Sequence, residues 1–146
     1  MPILIEPATI LGPDLAPLVA EADAAGYSFV RRLRDAWMSG ENRFDRPGET
    51  LLTARVDGRL LGIGGLNIDP FAHADRVGRL RHLYVACDAR GLGVGRALVS
   101  RILTAAPPHF AVVRLRTDSP DAAAFYARLG FQPTDEPHAT HLIRTG

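Results

Sequence analysis

The stretch that most constrains this chain is "LRHLYVACDARGLGVGRALVSRIL", residues 80–103. It begins as an apolar strand, passes through three glycines at alternate positions, and continues with apolar residues at helical spacing. Missing Cβ atoms at these glycines let the backbone approach a ligand closely. The start of a helix leaves N–H groups unpaired and carries partial positive charge, which favours an anion. With Arg90 and Arg96 beside it, this loop is predicted to bind a pyrophosphate.

Other glycine-rich loops fit the stretch less well. The spacing is G-x-G-x-G, and Arg96 stands where a dinucleotide-binding fold needs a small residue. No acidic residue for a ribose hydroxyl follows at the expected distance, and the P-loop pattern is absent, so a nucleotide-binding oxidoreductase is disfavoured. A plain strand-to-helix turn needs only one glycine, so three glycines with two arginines favour a ligand site.

The remaining chain predicts helices and strands on both sides of this loop. Asp57-Gly58 is typical of the tight turn of a hairpin between two apolar runs. Ser119 is a ready helix N-cap, with Pro120 at the first helical position and Gly130 as the stop. The predicted helices are 13–26, 30–39, 93–105 and 120–129, and the predicted strands are 3–6, 50–56, 59–68, 77–85, 110–117, one near 131, and 138–144. This order predicts one α/β domain over residues 1–146.

Composition limits the class of function. Seventeen basic residues, all of them arginine, stand against sixteen acidic ones, and the net charge of +1 gives no electrostatic reason to expect nucleic acid or membrane binding. The single Cys87 excludes an internal disulfide and a cysteine-only zinc site, and no metal is expected. The first ten residues resemble neither a signal peptide nor a membrane span, so a cytoplasmic protein is predicted.

Two motifs resemble those of one superfamily. "LYVACDARGLGVGRALV" is similar to the acyl-CoA signature R/Q-x-x-G-x-G/A of the GNAT N-acetyltransferases, with Arg90, Gly93 and Gly95 at its three defining positions. "PDAAAFYARLGF" resembles the second signature of that superfamily, and "RVDGRLLGIGGL" resembles its central hairpin. The resemblance, which spans residues 3–144, implies a mixed α/β (α+β) fold. Its sheet would be mostly antiparallel and twisted, with about six to seven strands, about four flanking helices and two central strands that splay apart.

The resemblance also implies where acetyl-CoA binds as co-substrate. Backbone N–H groups would hold the pyrophosphate along Arg90, Gly91, Leu92, Gly93, Val94, Gly95 and Arg96. The main chain of Leu83, Tyr84 and Val85 would pair with the pantetheine arm as if with another strand. Ser119 stands where the family often has an asparagine that touches the pantetheine, and Phe125 precedes the tyrosine of the second signature.

The resemblance assigns catalytic roles to three residues of this chain. The N–H of Val85 would face the thioester carbonyl as an oxyanion donor. Tyr126 matches the family's general acid, because a phenol of pKa about 10 suits a thiol of about 8.5. The glutamate that many relatives carry on the fourth strand is missing, which leaves His82 as a candidate base.

The assignment of the base stays open between several groups. Strand alternation places His82 on the same face as Leu80 and Tyr84 unless a β-bulge changes the parity, and a structural histidine is an equal alternative. Water is another candidate base. Three residues of the preceding loop could also act, although we expect them to be solvated: Asp69, His73 and Asp75.

The acceptor site is the least determined part of the prediction. If Arg79 and Arg81 point into the cleft, the acceptor carries a carboxylate or a phosphate, and a solvated strand face is the equal alternative. Trp37 and the loop around Phe44 lie where the family shapes its acceptor pocket, although Trp37 fits an apolar core stripe.

The leading hypothesis is an N-acetyltransferase that moves an acetyl group from acetyl-CoA to a primary amine of a small molecule or protein. The alternative is a non-catalytic acyl-CoA-binding or sensor domain with the same fold. The family also leaves open a homodimer.

Overall fold

The computed structural model describes residues 2–145 of the chain. The helices are α1 (Ala16–Ala24), α2 (Phe29–Ser39), α3 (Val94–Ala105) and α4 (Pro120–Arg128). The strands are β1 (Leu4–Pro7), β2 (Thr50–Val56), β3 (Arg59–Ile68), β4 (Val77–Val85), β5 (Val112–Leu115), β6 (Gln132–Pro133) and β7 (His141–Arg144). Within residues 2–145, no helix has the length and apolar character needed to cross a membrane.

One seven-stranded sheet carries the fold, in the order β1-β2-β3-β4-β5-β7-β6. All neighbours are antiparallel except β4 and β5, which are parallel. Only the first part of β4, Val77 to Arg79, pairs with β5, so the two strands diverge beyond Arg79. We refer to the gap between the rest of β4 and β5 as the wedge. The predicted mixed sheet with splayed central strands is therefore confirmed.

Helices cover both faces of the sheet. α3 packs against β3 at two small residues: a Cβ on Gly62 would lie 2.9 Å from Val94 Cγ1, and one on Gly64 would lie 3.5 Å from Ile102 Cδ1. α1 and α2 cover the opposite face. Nine residues predicted by helical spacing are buried, and Val99 of α3 is buried as well. The nine are Leu15, just before α1, and Leu18, Val19, Ala22, Val30, Leu33, Val94, Leu98 and Ile102.

Asp69 joins the two diverging strands where their pairing ends. Arg79 and Arg114 are direct neighbours there, and like charges opposite each other on a sheet are unfavourable. The Asp69 carboxylate accepts from Arg79 Nη1 at 3.3 Å and from Arg114 Nε at 2.9 Å. The three side chains are 0%, 9% and 6% exposed for Asp69, Arg79 and Arg114. We call these three residues the Asp69 cluster.

The position of Asp69 corrects the expectation that it is solvated. Burial by itself raises the pKa of this carboxyl, but hydrogen bonds from Arg114 and from the Phe71 N–H outweigh that effect and hold the pKa below its usual range. Asp69 is therefore ionised at neutral pH and acts as the shared anion of two buried guanidinium groups.

Replacing Asp69 with alanine should strongly destabilise the fold. The change leaves two buried cations side by side, and removing one partner of a buried ion pair costs about 3–5 kcal/mol. Urea unfolding of Asp69→Ala measures the loss. Asp88→Ala is the matched control, because the Asp88–Arg59 pair is exposed and contributes little. Similar losses in both variants would contradict a structural role for the Asp69 cluster.

Candidate functional site

The glycine loop turns β4 into α3 through two left-handed residues. Gly91 has a φ of 81° and Gly93 a φ of 86°, which a residue with a Cβ adopts at a cost. A Cβ on either glycine would meet nothing within 4 Å. The glycines are therefore needed for the backbone conformation, and the surface beside them is free to receive a ligand.

Three N–H groups at the start of α3 point to an anionic ligand. The first helical hydrogen bond runs from the Ala97 N–H to the Gly93 carbonyl, at 3.0 Å. In the described part of the chain, the N–H groups of Val94, Gly95 and Arg96 have no acceptor, and no side chain caps the helix. These groups lie at the positive end of the helix, so this loop fits the pyrophosphate of an acyl-CoA.

The open edge of β4 lies next to this loop. The Ala86 N–H donates to the Leu61 carbonyl on β3 at 2.7 Å. Backbone groups of an antiparallel strand alternate in direction, so the N–H and C=O of Val85 point away from β3, towards the wedge. Arg90 Nε donates to the Val85 carbonyl at 3.1 Å from that side. Gly95 brings the wedge and the loop together, because a Cβ there would lie 3.5 Å from Val85 Cγ2 and 3.4 Å from Phe125 Cζ.

A β-bulge in β4 decides where His82 points. Arg81 pairs with Gly65 and Tyr84 with Ile63, so two residues of β4 lie opposite the single residue between them on β3. His82 takes up the extra length with a φ of 60°. The bulge moves Tyr84 to the helix α1 side of the sheet and turns His82 to the same side as Arg81. Strict alternation would place His82 on the same face as Leu80. That prediction is wrong, because the extra residue of the bulge changes the face on which His82 lies.

His82 and Arg81 line a cavity of about 670 Å³ between α2, residues 39–49 and the bulge. Its lining includes Arg32, Asp35, Ala36, Ser39, Glu41, Asn42, Arg46, Glu49, Asn67, Ile68 and Pro70. Phe44 is buried beside it, with its ring 6.2 Å from the His82 ring. Trp37 is half-buried against the core, as its apolar stripe predicts.

His82 is held neutral in this environment. Its Nδ1 is the one buried side-chain nitrogen or oxygen in residues 2–145 that has no hydrogen-bond partner. The His82 pKa is lowered from 6.5 to about 4, mainly by burial and further by the positive charge of Arg81. Arg79 does not join this cavity, because it binds Asp69 and donates to the His138 carbonyl at 2.7 Å.

Tyr126 lies on α4 and is buried, with its ring 5.2 Å from Phe125 and 5.5 Å from Phe131. Burial raises the pKa of its phenol well above 10, so the hydroxyl keeps its proton at neutral pH. Ser119 caps α4, where its Oγ accepts from the Ala122 N–H at 3.2 Å. The predicted N-cap is confirmed, and the hydroxyl hydrogen of Ser119 remains available to another acceptor.

Glu21 on α1 contacts the end of β4, and the sequence analysis did not predict any role for it. Its carboxylate accepts from the Tyr84 hydroxyl and from the Cys87 N–H, at 3.1 Å for the latter. Burial and this hydrogen bond raise the Tyr84 pKa to about 12, and the Arg90 guanidinium lies 5.4 Å from the centre of the Tyr84 ring. Glu21 thus ties α1 to the start of the glycine loop. No motif indicates it, because the contact crosses 63 residues of chain.

Comparisons with known proteins agree with this geometry. Residues 17–131 match the model of the Acetyltransferase (GNAT) family. A comparison with curated proteins finds no match. A protein of Exiguobacterium sp. 255-15, described as an acetyltransferase, is 29% identical with a TM-score of 0.88, over 99% of this chain and 94% of that one.

Two further structures share the fold at lower identity. A GNAT acetyltransferase of Staphylococcus aureus Mu50 has a TM-score of 0.76 and 16% identity, over 99% of this chain and 100% of the other. A protein of Klebsiella pneumoniae described as an acyl-CoA N-acyltransferase has a TM-score of 0.69 and 18% identity, over 99% and 98% of the two chains. The family match over most of the chain, on a fold with unpaired N–H groups beside an open strand edge, shows that this protein belongs to the GNAT acetyltransferases, a family of acyl-CoA-dependent acyltransferases.

Proposed function

We propose that this protein transfers an acetyl group from acetyl-CoA to a primary amine by direct attack. The observation that carries the proposal is the set of three unpaired N–H groups at the start of α3, beside the open edge of β4. An amine of a small molecule or of a protein is the acceptor, and residues 1–146 act as a single domain.

The donor would occupy the glycine loop and the wedge. Residues 90–96 bind the pyrophosphate through their N–H groups, with the Arg90 and Arg96 side chains adding positive charge. The pantetheine pairs with the backbone of Leu83, Tyr84 and Val85 on the wedge side of β4, which β5 no longer covers. Support for this path comes from the closeness of Phe125 and Val85 to Gly95, since a Cβ there would lie 3.4 Å and 3.5 Å from their side chains.

The reaction needs an oxyanion donor, a base and an acid. The Val85 N–H binds the thioester carbonyl oxygen as negative charge develops there. His82 accepts the proton that the amine loses while the new C–N bond forms. Tyr126 donates its proton to the sulfur as the C–S bond breaks. The neutral imidazole and the protonated phenol are in the states that these roles require.

A non-catalytic acyl-CoA sensor is the second candidate, and one observation favours it. A histidine whose pKa is about 4 is a weak base, and His82 is the candidate base of this site. Turnover with an amine panel separates the two functions, because a sensor binds the donor and releases no CoA.

Acetyl-CoA should raise the melting temperature of the protein. A ligand at 100 times its Kd adds about 2.7 kcal/mol to stability, which corresponds to a shift of several degrees. Differential scanning fluorimetry with acetyl-CoA, and with NAD as control, measures this shift. The absence of a shift, or an equal shift with NAD, would contradict the assignment of the glycine loop.

Tyr126→Phe should lower kcat by about 10²–10⁴-fold if the phenol acts as the general acid. The KM for acetyl-CoA should change little, because phenylalanine keeps the ring contacts with Phe125 and Phe131. Steady-state release of CoA measures both constants, and the exposed Tyr27 supplies the matched control Tyr27→Phe. An unchanged kcat in Tyr126→Phe would remove this residue from the mechanism.

The free energy of unfolding should decrease as the pH falls from about 6.5 to about 4, because of the lowered pKa of His82. In this interval the unfolded chain binds a proton at His82 while the folded protein does not, so stability decreases with decreasing pH. The difference between the two pKa values corresponds to roughly 3 kcal/mol. Urea unfolding at several pH values should show a smaller loss in His82→Gln than in the wild type. His73→Gln is the control at an exposed histidine, and equal losses in all three proteins would contradict a buried neutral His82.

A further inference from the structure

Arg81 differs from every other buried or half-buried arginine in the described chain. The arginines in this class are Arg34, Arg55, Arg79, Arg81 and Arg114. All of them except Arg81 form an ion pair with an aspartate. In residues 2–145 the Arg81 side chain has neither a carboxylate in ion-pair contact nor a hydrogen-bond partner. Burial in part withdraws the Arg81 guanidinium from water and lowers its pKa. A partly desolvated guanidinium without an acceptor of its own is suited to bind an anion.

The Arg81 guanidinium adjoins an imidazole with one unpaired nitrogen. His82 Nδ1 has no partner, and the bulge directs His82 and Arg81 to the same cavity. Consecutive Cα atoms are about 3.8 Å apart. One small ligand in this cavity is therefore able to contact both side chains.

The carboxylates of the cavity do not neutralise Arg81. Glu49 accepts from Asn67 Nδ2 and from the Ile68 N–H, each at 2.9 Å. Asp35 pairs with Arg34 at 3.2 Å, and Glu41 is exposed.

The other two arginines that line the cavity, Arg32 and Arg46, are exposed and form no ion pair among the described residues. The part of the cavity next to the bulge is thus cationic.

We propose that the acceptor is a small primary amine that carries an anionic group, a carboxylate or a phosphate, which Arg81 binds while the amine lies at His82. This inference rests on the proposed acyl transfer and names its acceptor class. The planar fork of arginine pairs with either anion through two parallel hydrogen bonds. The cavity of about 670 Å³ is within the range of small-molecule sites, roughly 300–1,000 Å³.

An anionic acceptor would also assist the candidate base. The charged groups nearest to His82 are Arg81 on β4 and Arg32 on α2, and both lower its pKa. An anion bound to Arg81 opposes this charge and makes His82 a better proton acceptor. The acceptor would thereby favour its own deprotonation, while an amine without the anion would meet a weaker base.

Matched amines test the acceptor class. The first set compares amino acids with their α-amides and with the corresponding decarboxylated amines, and the second compares phosphoethanolamine with ethanolamine. CoA release gives kcat/KM for each compound. We expect the anionic member of at least one set to exceed its neutral partner tenfold or more. The set in which this preference occurs identifies the anion as carboxylate or phosphate.

Variants at Arg81 show whether this residue causes the preference for an anionic amine. Arg81→Gln should lower kcat/KM for the anionic amine tenfold or more, because that amine loses a charge-assisted pair. It should not lower kcat/KM for the neutral partner, which loses no such pair and meets a His82 freed from the Arg81 charge. Arg81→Lys, which keeps the charge but not the fork, should fall between these values. Arg101→Gln, at an exposed arginine on α3, is the matched control. Thermal unfolding of each variant confirms that it is folded.

The outcomes separate this inference from the proposed function. If acetyl-CoA neither binds nor is consumed, acyl transfer by this site is wrong. If acetyl-CoA binds but neutral amines are preferred, or Arg81→Gln lowers both partners equally, the acceptor class is wrong and acyl transfer stands. If no amine turns over, the inference requires that an anionic amine raise the melting temperature of the wild type and not of Arg81→Gln. Acetylation of peptide N-termini alone would overturn it.

Discussion

The shared carboxylate of Asp69 is the interaction on which the functional part of this fold depends. It binds Arg79 and Arg114 at the last paired position of β4 and β5. Two guanidinium groups on adjacent strands repel each other, so the buried anion between them stabilises the pairing at this point. With Asp69 present, the parallel pairing is stable up to this point and stops beyond it. The wedge, and the strand edge proposed to bind pantetheine, begin where the Asp69 cluster ends.

The bulge in β4 directs His82 to the proposed acceptor cavity, while the strand edge at Val85 stays open to the proposed donor. Without the bulge, residues after Leu80 would alternate strictly, and His82 would face α3 and the apolar core. The extra residue turns His82 towards the cavity beside Arg81 and also directs Tyr84 to Glu21 on α1. One local irregularity thus brings the proposed base to the acceptor side while the backbone of Val85 remains at the donor side. The two substrates would meet along a few residues of one strand.

Local patterns were enough to predict most elements and the donor loop. The helical spacing of apolar residues predicts the buried faces of α1, α2 and α3, because burial of such a face depends on neighbours three and four residues away. The Ser119 cap, the Gly93 conformation and the hairpin turn at Asp57-Gly58 are equally local. The family signatures predicted the sheet with splayed strands. The site roles assigned to Val85, Tyr126 and the loop remain predictions.

The sequence by itself determined the order of elements, the glycine loop and the family, since each of these depends on residues close together in the chain or on a short signature. Only the tertiary structure decided the environment of individual polar groups. The sequence predicts that Asp69 is a solvated loop residue. In the structure it is buried against Arg114, which lies 45 residues away in the chain. Arg79 and Arg81 look equivalent two residues apart, yet one is neutralised in the core and the other is unpaired at a cavity. Charge pairing and burial are set by contacts between distant segments, and a one-residue bulge is enough to change which face they occupy.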